Sequence, residues 1–138
     1  MSDKIIKINN LSFSYNGLKV IDDISFSVEK GSFISVLGPN GSGKSTLINL
    51  ISNALKGFDG SISICGMDIK KMSSKEIAKL VAVVPQSFNP GFDFSVEELV
   101  LMGRFPYVSR FGSEKMQNFI ITNKIMEKTG ILSLAKKV

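Results

Sequence analysis

One glycine-rich stretch of the sequence carries residue types and a spacing that are suited to chemistry. It reads SVLGPNGSGKST and runs from residue 35 to residue 46. Four of its residues fit the pattern G-x-x-x-x-G-K-[ST], namely Gly38, Gly43, Lys44 and Ser45. In this pattern, backbone N–H groups surround phosphate oxygens at the positive end of a helix. The stretch therefore predicts a site for the phosphates of a nucleotide.

The chemistry of each residue in this loop suggests its role. Glycine at positions 38, 41 and 43 permits backbone conformations that a side chain would obstruct. Lys44 supplies a positive charge to the terminal phosphates, and the Ser45 hydroxyl can ligate Mg²⁺. Thr46 supports the next phosphate oxygen. A predicted strand precedes the loop and a predicted helix follows it, which is the context that the motif requires.

Composition indicates a globular domain. The chain has 138 residues, of which 43% are hydrophobic, so it is long enough for one core and unlike a disordered segment. No apolar run reaches the length of a membrane span, and the first ten residues lack the apolar centre of a signal peptide, so we expect a cytosolic chain. The net charge of +5 comes from scattered basic residues, which favours a solvated surface over a nucleic-acid site. The single Cys65 is interpreted as a small strand residue.

The segment before the loop is predicted to form a half-buried antiparallel sheet. IIKINNLSFSY and VIDDISFSV alternate apolar and polar residues, and the turn signals Asn16-Gly17 and Lys30-Gly31 follow them. GSISICG predicts a further strand. FISVLG and VAVVPQ are short and mostly apolar, which predicts strands that are buried on both faces.

Four helices are predicted after the loop. Two of them begin at Ser-x-x-Glu capping boxes, and the last one ends at a glycine. Their predicted extents are residues 44–54, 74–80 after Ser73 with Glu76, 96–103 after Ser95 with Glu98, and 114–129 before Gly130.

With GPNGSGKST in its loop, the chain resembles the ATP-binding subunits of ABC transporters. The resemblance extends along the whole chain and implies an α/β fold with a P-loop NTPase core, an antiparallel β subdomain and the start of a helical subdomain. The implied regions of residues 1–138 are 1–31 for the β subdomain, 32–86 for the core, and 87–138 for the glutamine loop and helical subdomain. The resemblance implies that the following residues bind ATP: Tyr15, Val20, Gly38, Pro39, Asn40, Gly41, Ser42, Gly43, Lys44, Ser45 and Thr46.

Three residues outside the loop match positions at which the family contacts its nucleotide. Tyr15 stands where the family has an aromatic ring that stacks on adenine, and Val20 matches the apolar residue that accompanies it. Gln86 follows the second predicted buried strand. A glutamine can offer its carbonyl oxygen to Mg²⁺ and its amide to water, and the resemblance implies that Gln86 does both. The implied cofactors are ATP and Mg²⁺, with Lys44 and Gln86 as catalytic residues.

A later segment, VEELVLMGRFPYVSRFG, is similar to one importer branch of the family, which takes up iron–siderophore, haem and cobalamin. Its aromatic and basic residues would suit a protein interface. Arg104, Phe105 and Tyr107 are the residues expected to meet a transmembrane permease subunit, with Arg110 and Phe111 nearby. The alternative for each of these residues is local packing between helices.

The family also requires elements that these 138 residues do not contain. The sequence has no histidine and no Asp-Glu pair, and Leu132-Ser133 does not continue into the family's LSGGQ-like signature. The chain is therefore interpreted as the N-terminal half of a module that binds nucleotide without turning it over. The resemblance implies further partners, namely a second ATPase subunit in a homodimer and, indirectly, a substrate-binding protein. It implies a peripheral location at the inner face of the cell membrane, and no nucleic acid.

Two other function classes stay open from the residues alone. One is a soluble ABC-type ATPase of DNA repair or ribosome function, which a long coiled-coil insertion after Gln86 would favour. The other is a P-loop kinase, which the two antiparallel strands and Tyr15 before the loop argue against. The Gly-Arg-x-Pro-Tyr segment favours import over the soluble ATPase.

Overall fold

A computed structural model describes residues 4–87, 91–108 and 115–138. The described part of the chain forms two compact units, which divide between Val83 and Val84. The boundaries predicted between the three regions, at residues 31 and 86, remain predictions. Within the described ranges, no helix is both long and apolar enough to cross a membrane.

The first unit is built on a four-stranded antiparallel sheet. Its strands are β1 (Lys4–Tyr15), β2 (Leu18–Glu29), β3 (Asp59–Ile64) and β4 (Met67–Asp68), in the spatial order β2-β1-β3-β4. The predicted hairpin between the first two strands is confirmed. Asn16 and Gly17 have φ angles of 47° and 84°, which match the type I′ turn that suits the twist of two paired strands.

Two α-helices, α1 (Lys44–Ile51) and α2 (Ser74–Ala78), and a short 3-10 helix, Ile69–Lys71, complete this unit. The buried face of α1 carries Leu47 and Leu50, which belong to one hydrophobic cluster with sheet residues such as Leu11 and Ile62. The alternation of β1 and β2 supplies the sheet side of this cluster, and the three-to-four-residue spacing of the leucines supplies the helix side. The core therefore holds the start of α1 against the antiparallel sheet.

The second unit contains α3 (Val96–Met102), α4 (Lys115–Lys128) and two short 3-10 helices, Phe105–Tyr107 and Leu132–Leu134. The end of the chain closes on the start of α3. Val96 N–H donates to the carbonyl of Lys137, and Glu97 N–H donates to that of Ala135. The buried Glu97 carboxylate accepts from the Lys136 ammonium, and this hydrogen bond raises the pKa of Lys136.

Both predicted capping boxes are confirmed. Ser73 and Ser95 each accept a hydrogen bond from the backbone N–H three residues later, and Glu76 and Glu98 reach back to the serines. These hydrogen bonds hold the pKa of both glutamates below its ordinary value. The predicted end of α4 is also confirmed, since Gly130 follows with a φ of 71°.

The two predicted buried strands are wrong. Neither FISVLG nor VAVVPQ is a strand, and most of their side chains face solvent, with Phe33 94% and Val84 95% exposed. Val81 is the half-buried exception and packs against the core. A strand that is buried on both faces needs hydrogen-bonded neighbours on both edges. Among the residues that the structure describes, the sheet strands pair only with one another, so neither run has a neighbour. Apolar composition indicated where strands could form, but it does not supply their partners.

Three smaller predictions also need correction. Helix α1 ends at Ile51 instead of residue 54, because Asn53 adopts a φ of 59° and Leu55 N–H bonds back to the carbonyl of Asn49. Helix α2 ends at Ala78, two residues earlier than predicted. Cys65 is not a strand residue. It is exposed in the turn after β3, with a φ of 50°.

Candidate functional site

The glycine-rich loop leads directly into the first turn of α1. Gly43 is the N-cap residue, with φ 87° and ψ 5°, and no side chain caps the helix. The N–H groups of the first turn therefore lack the partner that a capping side chain would provide, and they carry the positive end of the helix dipole. Buried Leu47 and Leu50 anchor the same helix to the core, so the direction of these N–H groups is fixed by packing.

The loop backbone needs glycine for two separate reasons. Gly41 has a φ of 82°, in the left-handed region that other residues rarely adopt. Gly38 has an ordinary φ, but a Cβ at this position would lie 2.6 Å from the Oγ of Ser42. Ser42 N–H in turn donates to the carbonyl of Pro39 at 3.2 Å. The loop is thus a compact turn that needs Gly41 for its backbone conformation and Gly38 for the space beside Ser42.

The Lys44 side chain folds over this turn. Its ammonium donates hydrogen bonds to the carbonyl oxygens of Gly38 and Pro39, both at 2.8 Å, and lies 3.5 Å from the Oγ of Ser42. The positive charge is therefore held over the loop by the loop's own backbone. A phosphate that enters here meets the ammonium and the helix N-terminus together.

A cavity of about 360 Å³ lies between this loop and β2. Val20 is close to the loop, since its carbonyl oxygen would lie 3.0 Å from a Cβ built on Gly43. The strand β2 therefore forms the wall opposite the glycine-rich loop. The cavity is lined by Val20, Ile21, Asp22, Ile24, Val36, Leu37, Gly38, Pro39, Ser42, Gly43, Lys44 and Leu47.

Asp22 is a charged wall residue that sequence reasoning missed. Its carboxylate accepts a hydrogen bond from the Lys19 ammonium at 2.8 Å, and this hydrogen bond raises the pKa of Lys19. Both side chains are exposed, so the pair moderates, but does not remove, the negative charge beside the loop. The only sequence signal was a lysine three residues before an aspartate on one strand, which is too common to indicate a site.

The other residues of the first unit that are predicted to contact the nucleotide differ in location and exposure. Tyr15 lies at the end of β1, 43% exposed, with its ring edge-on to Phe13 at 4.8 Å between centroids. It does not line the cavity. Ser45 is exposed in the first turn of α1, whereas Thr46 is buried. Asn40 and Gly41 are exposed at the tip of the loop.

Two predicted sites lie in the second unit. Gln86 is exposed in the segment that begins at Val84, and its role stays a prediction. The expected interface residues form a local cluster, in which the Arg104 guanidinium stacks 4.0 Å from the centre of the Tyr107 ring. Phe105 is exposed beside them. Arg110 and Phe111 lie outside the described residues. Across residues 4–87, 91–108 and 115–138, no group of three His, Cys, Asp or Glu side chains could hold a metal ion.

Comparison with known families and proteins identifies related sequences. The sequence profile described as ABC transporter matches residues 21–138. An uncharacterized ABC transporter ATP-binding protein of Bacillus subtilis, YvrA, is 37% identical over 96% of this chain and 30% of its own length. The iron(3+)-hydroxamate import ATP-binding protein FhuC of the same organism is 33% identical over 96% of this chain and 49% of its own. The hemin import ATP-binding protein HmuV of Enterobacter cloacae is 35% identical over 91% of this chain and 46% of its own length.

Solved structures of ABC transporter subunits share the fold of this chain. A nucleotide-free ATP-binding cassette from an ABC transporter superposes with a TM-score of 0.75 and 27% identity, over 97% of this chain and 57% of that one. The ATP-binding subunit of another ABC transporter superposes with a TM-score of 0.76 at 21% identity and so shares the fold. The chain spans between about a third and a half of the length of the three curated relatives.

Proposed function

The chain belongs to the ABC transporter family, and from this we propose that it is the ATP-binding part of an importer subunit. The whole subunit couples ATP binding and hydrolysis to the uptake of a metal chelate. One observation carries the nucleotide part of this proposal. The Lys44 ammonium lies over a compact glycine turn at an uncapped helix N-terminus.

This arrangement supports phosphate binding on physical grounds. The carbonyls of Gly38 and Pro39 hold the ammonium without neutralising it, so its charge stays available to an anion. The unpaired N–H groups of the first turn of α1 add hydrogen-bond donors on the same side. Together they favour a triphosphate over a neutral ligand.

We assign the remaining nucleotide contacts as follows. The exposed hydroxyl of Ser45 would ligate Mg²⁺, for which oxygen ligands are preferred. For Gln86, in the second unit, the family resemblance is what assigns its side-chain oxygen the same role. Bound with ATP, Mg²⁺ supplies positive charge to the phosphate oxygens. Gln86 also orients water. Tyr15 stacks on the base, and Val20 contacts it from the wall of β2.

The substrate class follows from the relatives. The similar proteins include one named for iron(3+)-hydroxamate import and one named for hemin import. We therefore propose a metal chelate such as iron–siderophore, haem or cobalamin as the transported substrate. The chelate binds to the transport partners and not to this chain.

The partners follow from the same role. The importer subunit pairs with a second ATPase subunit, docks on transmembrane permease subunits at the inner face of the cell membrane, and serves a substrate-binding protein indirectly. Arg104, Phe105 and Tyr107 form the part of this chain that meets the permease. The exposed rings of Phe105 and Tyr107 beside the half-buried Arg104 support this assignment.

Titration of the chain with MgATP tests the nucleotide proposal. Charge-assisted hydrogen bonds contribute roughly 1.5–3 kcal/mol each, so Lys44→Ala should weaken binding about tenfold to more than a hundredfold. The matched control is Lys124→Ala, which removes the same charge from an exposed position on α4. Isothermal calorimetry should find the control equal to the parent chain. Equal affinity for the parent and Lys44→Ala would remove Lys44 from the site.

A further inference from the structure

A cavity of about 430 Å³ lies at one end of the antiparallel sheet and shares no lining residue with the cavity beside the glycine-rich loop. It is formed by the start of β1, the turn after β2 and the turn after β3. Three of its seven lining residues are lysines, and none of the seven is acidic. The lining of this lysine cavity comprises Lys4, Ile5, Lys7, Lys30, Ser63, Cys65 and Gly66.

Backbone hydrogen bonds fix the frame from which the lysines project. Cys65 N–H donates to the carbonyl of Ile5 at 2.8 Å, which joins the end of β3 to the start of β1. The N–H and the hydroxyl of Ser32 both donate to the carbonyl of Glu29, at 3.2 and 2.7 Å, and hold the turn that carries Lys30. The sheet therefore brings cations from separate parts of the chain to one hollow.

The three ammonium groups have no partner among the residues that the structure describes. None of Lys4, Lys7 and Lys30 donates a side-chain hydrogen bond or forms an ion pair there, in contrast to Lys19. Glu29 lies opposite Lys4 in the register of β1 and β2, but it does not line the cavity. The positive charge of the hollow is therefore not balanced by the protein.

This arrangement favours an anion with more than one charge. Like charges that converge on a hollow repel one another and focus their field, and a bound anion relieves the repulsion. An ammonium is a compact charge with three donors and needs no planar partner. A phosphoryl group offers three oxygens to separate donors and carries about 1.5 to 2 negative charges near pH 7, whereas a carboxylate carries one.

We propose that the lysine cavity binds the phosphoryl group of a compact phosphate ester or polyphosphate. The strand β1 begins at this cavity and ends at Tyr15, and its twelve residues span roughly 35 Å. The ligand is therefore a separate molecule from a nucleotide that stacks on Tyr15, and the inference does not depend on the proposed function. A soluble phosphate ester and the headgroup of an anionic lipid both present this chemistry.

Inorganic pyrophosphate tests the site on the whole 138-residue chain, followed by NMR of the backbone amides. Amides of residues 4–7, 30 and 63–66 should shift with one-site saturation, and inorganic phosphate should bind more weakly. The glycine-rich loop reports separately through residues 38–46. In Lys44→Ala the loop amides should lose their response while the cavity amides keep theirs.

Substitution of the lysines tests their contribution. Exposed ion pairs contribute little individually, so Lys7→Gln should weaken pyrophosphate binding at the cavity about 1.4- to fivefold. Lys7→Arg keeps the charge and should retain most of the affinity. The triple variant Lys4→Gln, Lys7→Gln and Lys30→Gln should lose the site. Lys124→Gln on α4 is the matched control and should change nothing.

Cys65 supplies a second readout, because it is the single cysteine of the chain, is exposed and lines the cavity. A bound phosphate covers this thiol, so pyrophosphate should slow its alkylation by iodoacetamide in the parent chain. The triple variant should react at the same rate with and without pyrophosphate. Its unchanged amide spectrum elsewhere shows that the sheet still forms.

Vesicles of phosphatidylcholine with and without phosphatidic acid distinguish the two sources of the phosphoryl group. Sedimentation with phosphatidic acid alone, reversed by pyrophosphate, assigns a lipid headgroup. Binding of pyrophosphate without sedimentation assigns a soluble phosphate ester.

Three results would overturn the inference. They are the absence of shifts at the cavity amides, an undiminished response in the triple variant, and unsaturated shifts spread over every lysine of the surface, which indicate a general ionic atmosphere. Failure at the cavity with a normal response of the loop rejects only this site. Failure at the loop with a normal response of the cavity rejects only the nucleotide role.

Discussion

At the scale of single residues, the proposed function gives one side chain of the loop two roles, one in the turn and one in binding. The Lys44 ammonium hydrogen-bonds two carbonyls of the turn that precedes it. Those bonds stabilise the turn, and they also hold the charge where a phosphate can reach it. Lys44→Ala therefore removes a contact within the loop as well as a contact to the ligand, and its effect on affinity contains both.

At Tyr15, the proposed contact with the nucleotide can be measured separately from the contacts within the protein. Ring stacking contributes roughly 0.5–1.5 kcal/mol beyond area burial, so Tyr15→Ala should weaken ATP binding about two- to twelvefold. Tyr15→Phe keeps the ring and its contact with Phe13, and should be nearly neutral. Calorimetric titration with ATP and with inorganic triphosphate distinguishes contacts to the base from contacts to the phosphates. An equal loss for both ligands would mean that the ring does not read the base.

At the scale of elements, the short helices depend on their capping residues. Helix α3 has seven residues, which is too short to be stable from its own backbone hydrogen bonds. Its start is held by the capping box of Ser95 and Glu98, and by the two hydrogen bonds that its first backbone N–H groups donate to carbonyls near the end of the chain. The second unit therefore relies on a few identifiable polar contacts at this helix terminus.

Loss of the cap at α3 should be measurable as a loss of stability. Ser95→Ala should lower the free energy of unfolding by about 0.5–2 kcal/mol at pH 7. Urea denaturation followed by circular dichroism measures this change. The control is Ser133→Ala, an exposed serine of the same unit, which should change little. If both variants unfold at the same urea concentration, the cap contributes nothing.

The same cap predicts a pH dependence. The hydrogen bonds from Ser95 lower the pKa of Glu98 in the folded chain below its ordinary value of 4.5. A lowered folded pKa gives stability that is present above pH 4.5 and lost as the pH falls through the folded pKa. The difference in stability between the parent and Ser95→Ala should therefore shrink in acid. A difference that stays constant from pH 7 to pH 3 would contradict this assignment.

At the scale of the whole molecule, binding and turnover should separate. The 138 residues contain no histidine and no Asp-Glu pair to act as switch or general base. Loss of one proton-transfer group typically costs a factor of about 10²–10⁴ in rate. We expect MgATP binding without phosphate release above the uncatalysed background. An enzyme-like rate that Lys44→Ala abolishes would contradict this expectation.

The exposed apolar runs predict the association behaviour of the chain. Phe33 and its neighbours present apolar side chains and strand-forming backbone to water, which favours contact with another copy. Light scattering should find the chain self-associated, and Phe33→Lys should shift it toward monomer. Leu18→Lys is the matched control, since Leu18 is 72% exposed on the hairpin instead. A parent chain that stays monomeric as concentration rises would reject the prediction.

Features that depend on neighbours along the chain could be predicted from the sequence. The hairpin turn at Asn16-Gly17, both capping boxes and the end of α4 at Gly130 each involve residues within a few positions of one another. The turn of the glycine-rich loop belongs to the same group, because its glycines and Lys44 lie within one short segment. Local sterics and hydrogen bonds decide such features without a partner from elsewhere in the chain.

Other features were decided only by the tertiary structure. FISVLG and VAVVPQ have the composition of buried strands, yet without a hydrogen-bonded neighbour they are exposed segments. The position of β2 beside the loop places Asp22 in the cavity wall, whereas Tyr15 on β1 lies outside it. The contact between Arg104 and Asn118 joins residues from two elements. A strand, a cavity wall and a cross-element hydrogen bond each require a partner from elsewhere in the chain, and only the folded arrangement determines which partner is present.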